Sequence, residues 1–172
     1  SEVGPYPFAT RYPEPGMLPF EDVHVQLVDL PPVAGDQTPP WFPAALQPAD
    51  AVLLVVDVSD PACVDQLADT LDWLERHRVR LIAHWPAAGQ NPLADEGDLF
   101  RQDLPALLVA NKRDLDPDPG EVAVLEELVG VTFPAVSVSA ETGDGLDHIV
   151  PFLFRELGAE GVVRQQSGAT VR

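Results

Sequence analysis

Asn111, Lys112 and Asp114 occur in the run Asn-Lys-Arg-Asp, directly after an apolar stretch at residues 106–110. A carboxylate in that position can accept two parallel hydrogen bonds at once. The edge of a guanine ring offers such a pair, N1–H and the 2-amino group, and Asp114 is placed to read it. Asn111 can tether neighbouring loops, and the apolar stem of Lys112 can lie along a purine. The bland alternative is a polar turn that closes a strand. Ser139 and Ala140 follow one strand–helix–strand unit later, and Glu141-Thr142-Gly143 and Gly145 lead on into the last helical pattern. A backbone approaching guanine O6 from the opposite side needs a residue as small as alanine. Alone, Ser-Ala reads as a plain helix lead-in; in this order and at this distance from Asn111 it points to a shared base site. Asp29, in Asp29-Leu30-Pro31-Pro32, ends a third strand-like run.

These residues need elements to hold them. Residues 51–58 are a continuous run rich in β-branched valine, as expected for a strand covered on both faces. Residues 62–76 place Val64, Leu67, Leu71 and Leu74 at helical spacing, with acids early and Arg76 late, which suits the helix dipole. A short strand at 79–83, a loop or small insertion at 85–104, a strand at 106–110, a helix at 121–129, a strand at 135–138 and a helix at 146–157 complete the rhythm. Strands alternating with helices imply right-handed crossovers and an α/β fold, a mostly parallel sheet flanked by helices. Ligands of such sheets bind beyond the carboxyl ends of the strands, where Asp29, Asn111 and Ser139 stand. Many of the chain's 19 prolines crowd into residues 5–48. Proline fixes φ and removes a donor, so this region is expected to be mostly ordered loop, with one strand at 24–29.

Composition narrows the function classes. The 172 residues are 45% hydrophobic and 22% charged, which excludes wholesale disorder and fits one domain. No run approaches the roughly 18 apolar residues of a membrane helix. A net charge of −18 argues against broad phosphate-backbone binding by this chain itself. With Cys63 alone, no internal disulfide or thiolate metal cage is available, so a reducing, cytoplasmic setting is expected.

With these motifs in order, the chain resembles the translation-factor branch of P-loop GTPases. More closely, Val3-Gly4-Pro5-Tyr6-Pro7-Phe8-Ala9-Thr10 and Pro13-Glu14-Pro15-Gly16-Met17 resemble the switch I region of the Obg/DRG-like GTPases. Residues 25–32 and 49–61 are similar to the segments that follow it there. The resemblance covers residues 1–157 and implies a GTPase domain with GTP or GDP as ligand and Mg²⁺ as cofactor. It implies that Thr10 and Asp29 hold the metal, that Asn111, Lys112 and Asp114 read guanine, and that Ser139, Ala140 and Glu141 form the base-capping loop. It also implies a ribosome- or RNA-linked role, with the RNA contact made by other domains. Residues 158–172 resemble the linker that precedes a TGS domain in a subset of the family.

Two departures qualify the resemblance. The chain contains no Gly-x-x-x-x-Gly-Lys-Ser/Thr, the loop that cradles the β- and γ-phosphates. In the family that loop precedes switch I, so the sequence is expected to be an N-terminally shortened G domain, inactive by itself. The other explanation is a natural protein that has lost phosphate binding. Then, where the family carries Asp-x-x-Gly, this chain has Asp29-Leu30-Pro31-Pro32, and Pro32 has no N–H for a γ-phosphate. Val33 follows in place of a water-orienting glutamine, so intrinsic hydrolysis should be slow. A rival reading follows from these: a pseudo-GTPase interaction module that binds a protein partner through the proline-rich 31–48 segment.

Other groups suggest less. His24, His77, His84 and His148 lack metal-ligand spacing, and Asp114, Asp116 and Asp118 lack the glycine and glutamate of a calcium loop. Asp57 and Asp60 could be paired carboxylates for acid–base work, but are better read as capping the helix near Ala62. Trp41, Trp73 and Trp85 have no interleaved basic residues, and Cys63 reads as packing.

Overall fold

The computed structural model describes residues 12–85, 100–115 and 132–157. A hairpin comes first. β1 (Glu14–Phe20) and β2 (Val23–Asp29) pair antiparallel from Glu14↔Asp29 to Phe20↔Val23 and form a sheet of their own. β1 corrects the expectation of loop before residue 24. Pro15 and Pro19 are four residues apart, so both missing N–H groups face the same edge. A strand of a two-stranded sheet has one edge with no donors to supply. A short helix, α1 (Phe42–Leu46), also lies in the proline-rich region, with Pro43 in its first turn, where no intrahelical donor is needed.

Four parallel strands form the main sheet: β3 (Val52–Asp57), β4 (Val79–Ile82), β5 (Gln102–Asn111) and β6 (Ala135–Ser137). β5 is its axis. It pairs with β4 along 102–105, with β3 along 106–111, and with β6 along 108–110. From Asp103 to Ala110 every residue is buried. The expected loop at 85–104 therefore ends early, because 102–104 already belong to this strand.

Side-chain alternation along β5 divides the interior in two. Leu104, Ala106, Leu108 and Ala110 pack with α1 and with α2 (Cys63–Arg76), whose Leu67, Trp73 and Leu74 face the sheet. Leu107 and Val109 face the other way, onto Val138 and the Ile149 and Leu153 of α3 (Ile149–Glu156). Val25 and Leu27 of β2 pack against this second cluster, so the hairpin covers part of that face. Covering on both faces is why β5 reads as an unbroken apolar run. The fold is α/β, a parallel four-stranded sheet flanked by helices. The helix expected at 146–157 begins as a 3₁₀ turn at Leu146–His148 before becoming α-helical. The helix expected at 121–129, most of the 85–104 loop and the tail at 158–172 lie outside the described residues.

One charged group sits inside this core. Asp103 is 9% exposed, and its carboxylate is gripped by Arg80 of β4 (Nε–Oδ1 3.2 Å) and by Arg101 (Nε–Oδ1 3.1 Å). A buried carboxylate persists only with such partners. Arg80 keeps 38% of its side chain exposed, so its guanidinium can recover water if the acid is lost. Asp103→Ala is therefore expected to cost about 1–2 kcal/mol, less than breaking a fully buried pair, read as a shifted urea midpoint with unchanged slope.

Candidate functional site

Parallel pairing brings the carboxyl ends of β3, β5 and β6 to one edge. Asp57 stands beside Asn111 in register, and the Val58 amide donates to the Asn111 carbonyl at 3.1 Å. On the other side the Val138 amide donates to Ala110 O at 2.8 Å, and the Arg113 amide to Val138 O at 3.1 Å. The exit of β5 is thus pinned from both neighbours. The chain then reverses: Lys112 takes the left-handed conformation at φ 69°, and the Leu115 amide closes the turn on its carbonyl at 2.9 Å. Asp114 rides on this turn, exposed to solvent.

The expected tether is present. Asn111 Oδ1 accepts the Ala140 amide at 3.0 Å. A backbone N–H can only donate, which fixes the oxygen of the carboxamide toward Ala140. This bond joins the Asn111–Asp114 turn to the Ser139–Ala140 loop, two segments far apart in sequence. It also occupies the backbone donor of Ala140.

Ser139 has a different job from display. It is fully buried, its hydroxyl accepts the Thr142 amide at 3.1 Å, and its carbonyl accepts the Gly143 amide at 2.8 Å. The loop is wound round this serine, and Ala140 and Glu141 are held exposed on its rim. Gly145, at φ 77°, lies so close to the chain that an added Cβ would press into the Ser137 carbonyl. Arg113 closes the assembly through its guanidinium, with Nη1 donating to Ser137 O and Nε facing Asp144 Oδ2, both at 3.4 Å.

Sequence reasoning misses one member. Lys112 Nζ lies 2.6 Å from Asp57 Oδ2, while Asp57 Oδ1 accepts the Ser59 hydroxyl at 2.6 Å and its amide at 3.0 Å. The paired-carboxylate and capping readings therefore do not describe Asp57. Asp60 does shape the approach to α2, accepting the Ala62 amide and the Gln66 side chain, both at 2.9 Å. Lys112 is the only lysine in the sequence. That, with an acid ending the neighbouring apolar run, is the signal that could find the pair.

The electrostatics of the pair are mutual. Partial burial pushes the Asp57 carboxyl up, but hydrogen bonds from Lys112 and Ser59, together with the lysine charge, outweigh it and hold the group below its ordinary 3.8. The hydrogen bond to Asp57, then its charge, lifts the Lys112 ammonium above 10.5. A depressed carboxyl stabilises the fold above its unfolded pKa and loses that contribution as pH falls through the folded value. A raised ammonium stabilises below its unfolded pKa and loses it as pH rises through the folded value. The pair is therefore intact across the neutral range, and its exposure keeps the stability effect small.

The remaining candidates are dispersed. Asp29 is exposed at the end of β2, in the hairpin sheet rather than the main one. Pro31 is buried and Pro32 exposed, and Val33 packs against the α2-side core. Thr10 lies outside the described residues. Among the described residues no three His, Cys, Asp or Glu side chains converge as metal ligands, and no helix is long and apolar enough to cross a membrane. Comparison with protein-family models gives no match, and comparison with curated proteins gives none.

Proposed function

We propose that the chain is the guanine-nucleotide-binding part of a GTPase resembling the Obg/DRG group, a P-loop GTPase fold here without its strand–P-loop–helix unit. The bond from the Ala140 amide to Asn111 Oδ1 carries this reading, because it joins the turn that presents Asp114 to the loop that presents Ala140. A purine between them would meet the Asp114 carboxylate on its N1 and 2-amino edge, and its O6 would share or take over from Asn111 Oδ1 the Ala140 amide. The unjoined sheets support the fold assignment: among the described residues β2 pairs only with β1, and β3 only with β5. The strand of the P-loop unit that the resemblance implies would pair with such edges.

In the intact protein the reaction is hydrolysis of GTP to GDP in a cytoplasmic setting, with any ribosome or RNA contact made by other domains. Mg²⁺, when bound, would neutralise phosphate charge. Of its two implied ligands the described residues supply Asp29 alone. Pro32 contributes no amide to a γ-phosphate, and Val33 orients no water, so hydrolysis is slow unless another group takes over. Val33 anchored in the core also favours a second reading, in which the segment after Asp29 is a fixed docking surface for a protein partner.

Binding of fluorescent GDP with Mg²⁺, competed by GTP and by ATP, tests the choice on this chain and on the full-length product of its gene. Uptake with guanine preferred supports the nucleotide site. No uptake by either leaves the interaction module as the better account.

A further inference from the structure

We propose that Asp57 is a positioning residue of the base site: it holds Lys112 so that the lysine stem walls one side of the purine, which makes the end of β3 part of that site. The inference rests on the guanine-nucleotide reading above and goes beyond the three segments that reading uses.

The backbone poses the question. Lys112 is left-handed at φ 69°, a conformation that glycine or asparagine adopts at less cost. Glu21 and Arg78 share this conformation, so the backbone alone does not mark a used side chain; what sets Lys112 apart is its ion pair with Asp57. The kind of side chain narrows the use. This sequence supplies its other cationic side chains as arginine, apart from histidine, and places its one lysine here. Lysine differs from arginine in having a compact ammonium on a flexible four-carbon stem rather than a planar fork.

The acceptor is fixed in advance. Both bonds from Ser59 go to Asp57 Oδ1, which orients the carboxylate and leaves Oδ2 for the Lys112 ammonium at 2.6 Å. Asp57 itself is set by the β3–β5 ladder, directly beside Asn111. Stretched between its own Cα and Asp57, the lysine stem spans the ends of the two strands, next to the turn that presents Asp114. Without the anchor the stem is free to leave the purine face, and a bound base loses an apolar wall while keeping its hydrogen bonds.

Two measurements test the assignment. In the 172-residue chain, lysine-selective ¹³Cε labelling gives one side-chain signal. Its titration midpoint is expected to fall toward the ordinary lysine value in Asp57→Asn and to be partly restored in Asp57→Glu. With the full-length product, Asp57→Asn and Lys112→Met are each expected to weaken fluorescent-GDP binding about five- to tenfold, leaving the preference for guanine over adenine unchanged, and the double variant should be no worse than either alone. Losses that multiply in the double variant overturn the proposal, as does an Asp57→Asn protein that binds like wild type. If wild type takes up no guanine nucleotide, the underlying reading falls and the proposal falls with it.

Discussion

On the proposed guanine-nucleotide reading, Asp114→Asn is expected to turn the site from guanine to xanthine preference. A carboxylate accepts from both N1–H and the 2-amino group of guanine. The asparagine amide still accepts N1–H through its oxygen, but its NH₂ then faces the 2-amino group, donor against donor. Xanthine carries a carbonyl at C2, so the same NH₂ finds an acceptor. Losing a charge-assisted pair is worth about 3 kcal/mol, or about a hundredfold in GDP affinity. The exposed turn that carries Asp114 can accept the substitution without repacking. Competition of fluorescent GDP by GDP and by XDP on the full-length product reads both changes. A variant that loses GDP binding with no gain for XDP shows that Asp114 does not read the base.

Gly145→Ala has the largest expected effect on the fold. Gly145 sits at φ 77°, where alanine costs about 1–2 kcal/mol. The added methyl must also displace the Ser137 carbonyl or the Val138 backbone, neither of which is a flexible side-chain end. Together these come to about 3 kcal/mol, a large share of a small domain's stability. Gly143 provides the control. It has a similar φ of 83°, but nothing lies within 4 Å of the point where an alanine methyl would stand, so Gly143→Ala carries the strain alone. Thermal unfolding of the two variants should separate them by the clash, with Gly145→Ala the less stable. Equal melting temperatures would mean that the loop yields freely around Ser137.

Much of this architecture is legible in residue order. The β-branched run beginning near residue 51 becomes β3, and the helical spacing of Leu67, Leu71 and Leu74 becomes α2. Both signals come from periodicity, which burial imposes directly. The start of β5 is hidden because Gln102-Asp103-Leu104-Pro105 looks like loop. Asp103 is tolerated there by two arginines, one of them on another strand. Pro105 is tolerated because its missing N–H faces the β3 side, where pairing begins only at Ala106. β1 is hidden by Pro15 and Pro19 for the related reason that an open edge needs no donors. Each exception depends on which strand lies alongside, and local sequence carries no such information.

The candidate site divides in the same way. Motif order groups Asn111, Asp114 and Ala140, and the structure does bring Asn111 and Ala140 into hydrogen-bond contact. Motif order also groups Ser139 with them, yet its burial makes it the post round which the loop is wound. Asp57 suggests other roles in the sequence, because its meeting with Lys112 requires the β3–β5 register, which no spacing rule provides.

The lone lysine at the exposed left-handed turn has a practical consequence for handling the protein. Coupling through side-chain amines, whether to a sensor surface, a cross-linker or a dye, has a single ε-amino target in this sequence, and that target is the ammonium held by Asp57. Immobilisation through this lysine attaches the support at the candidate site, and a negative result from molecules held that way reports the attachment. Capture through the Cys63 thiol is no remedy, because that side chain is buried in the α2-side core. A peptide tag is the neutral handle.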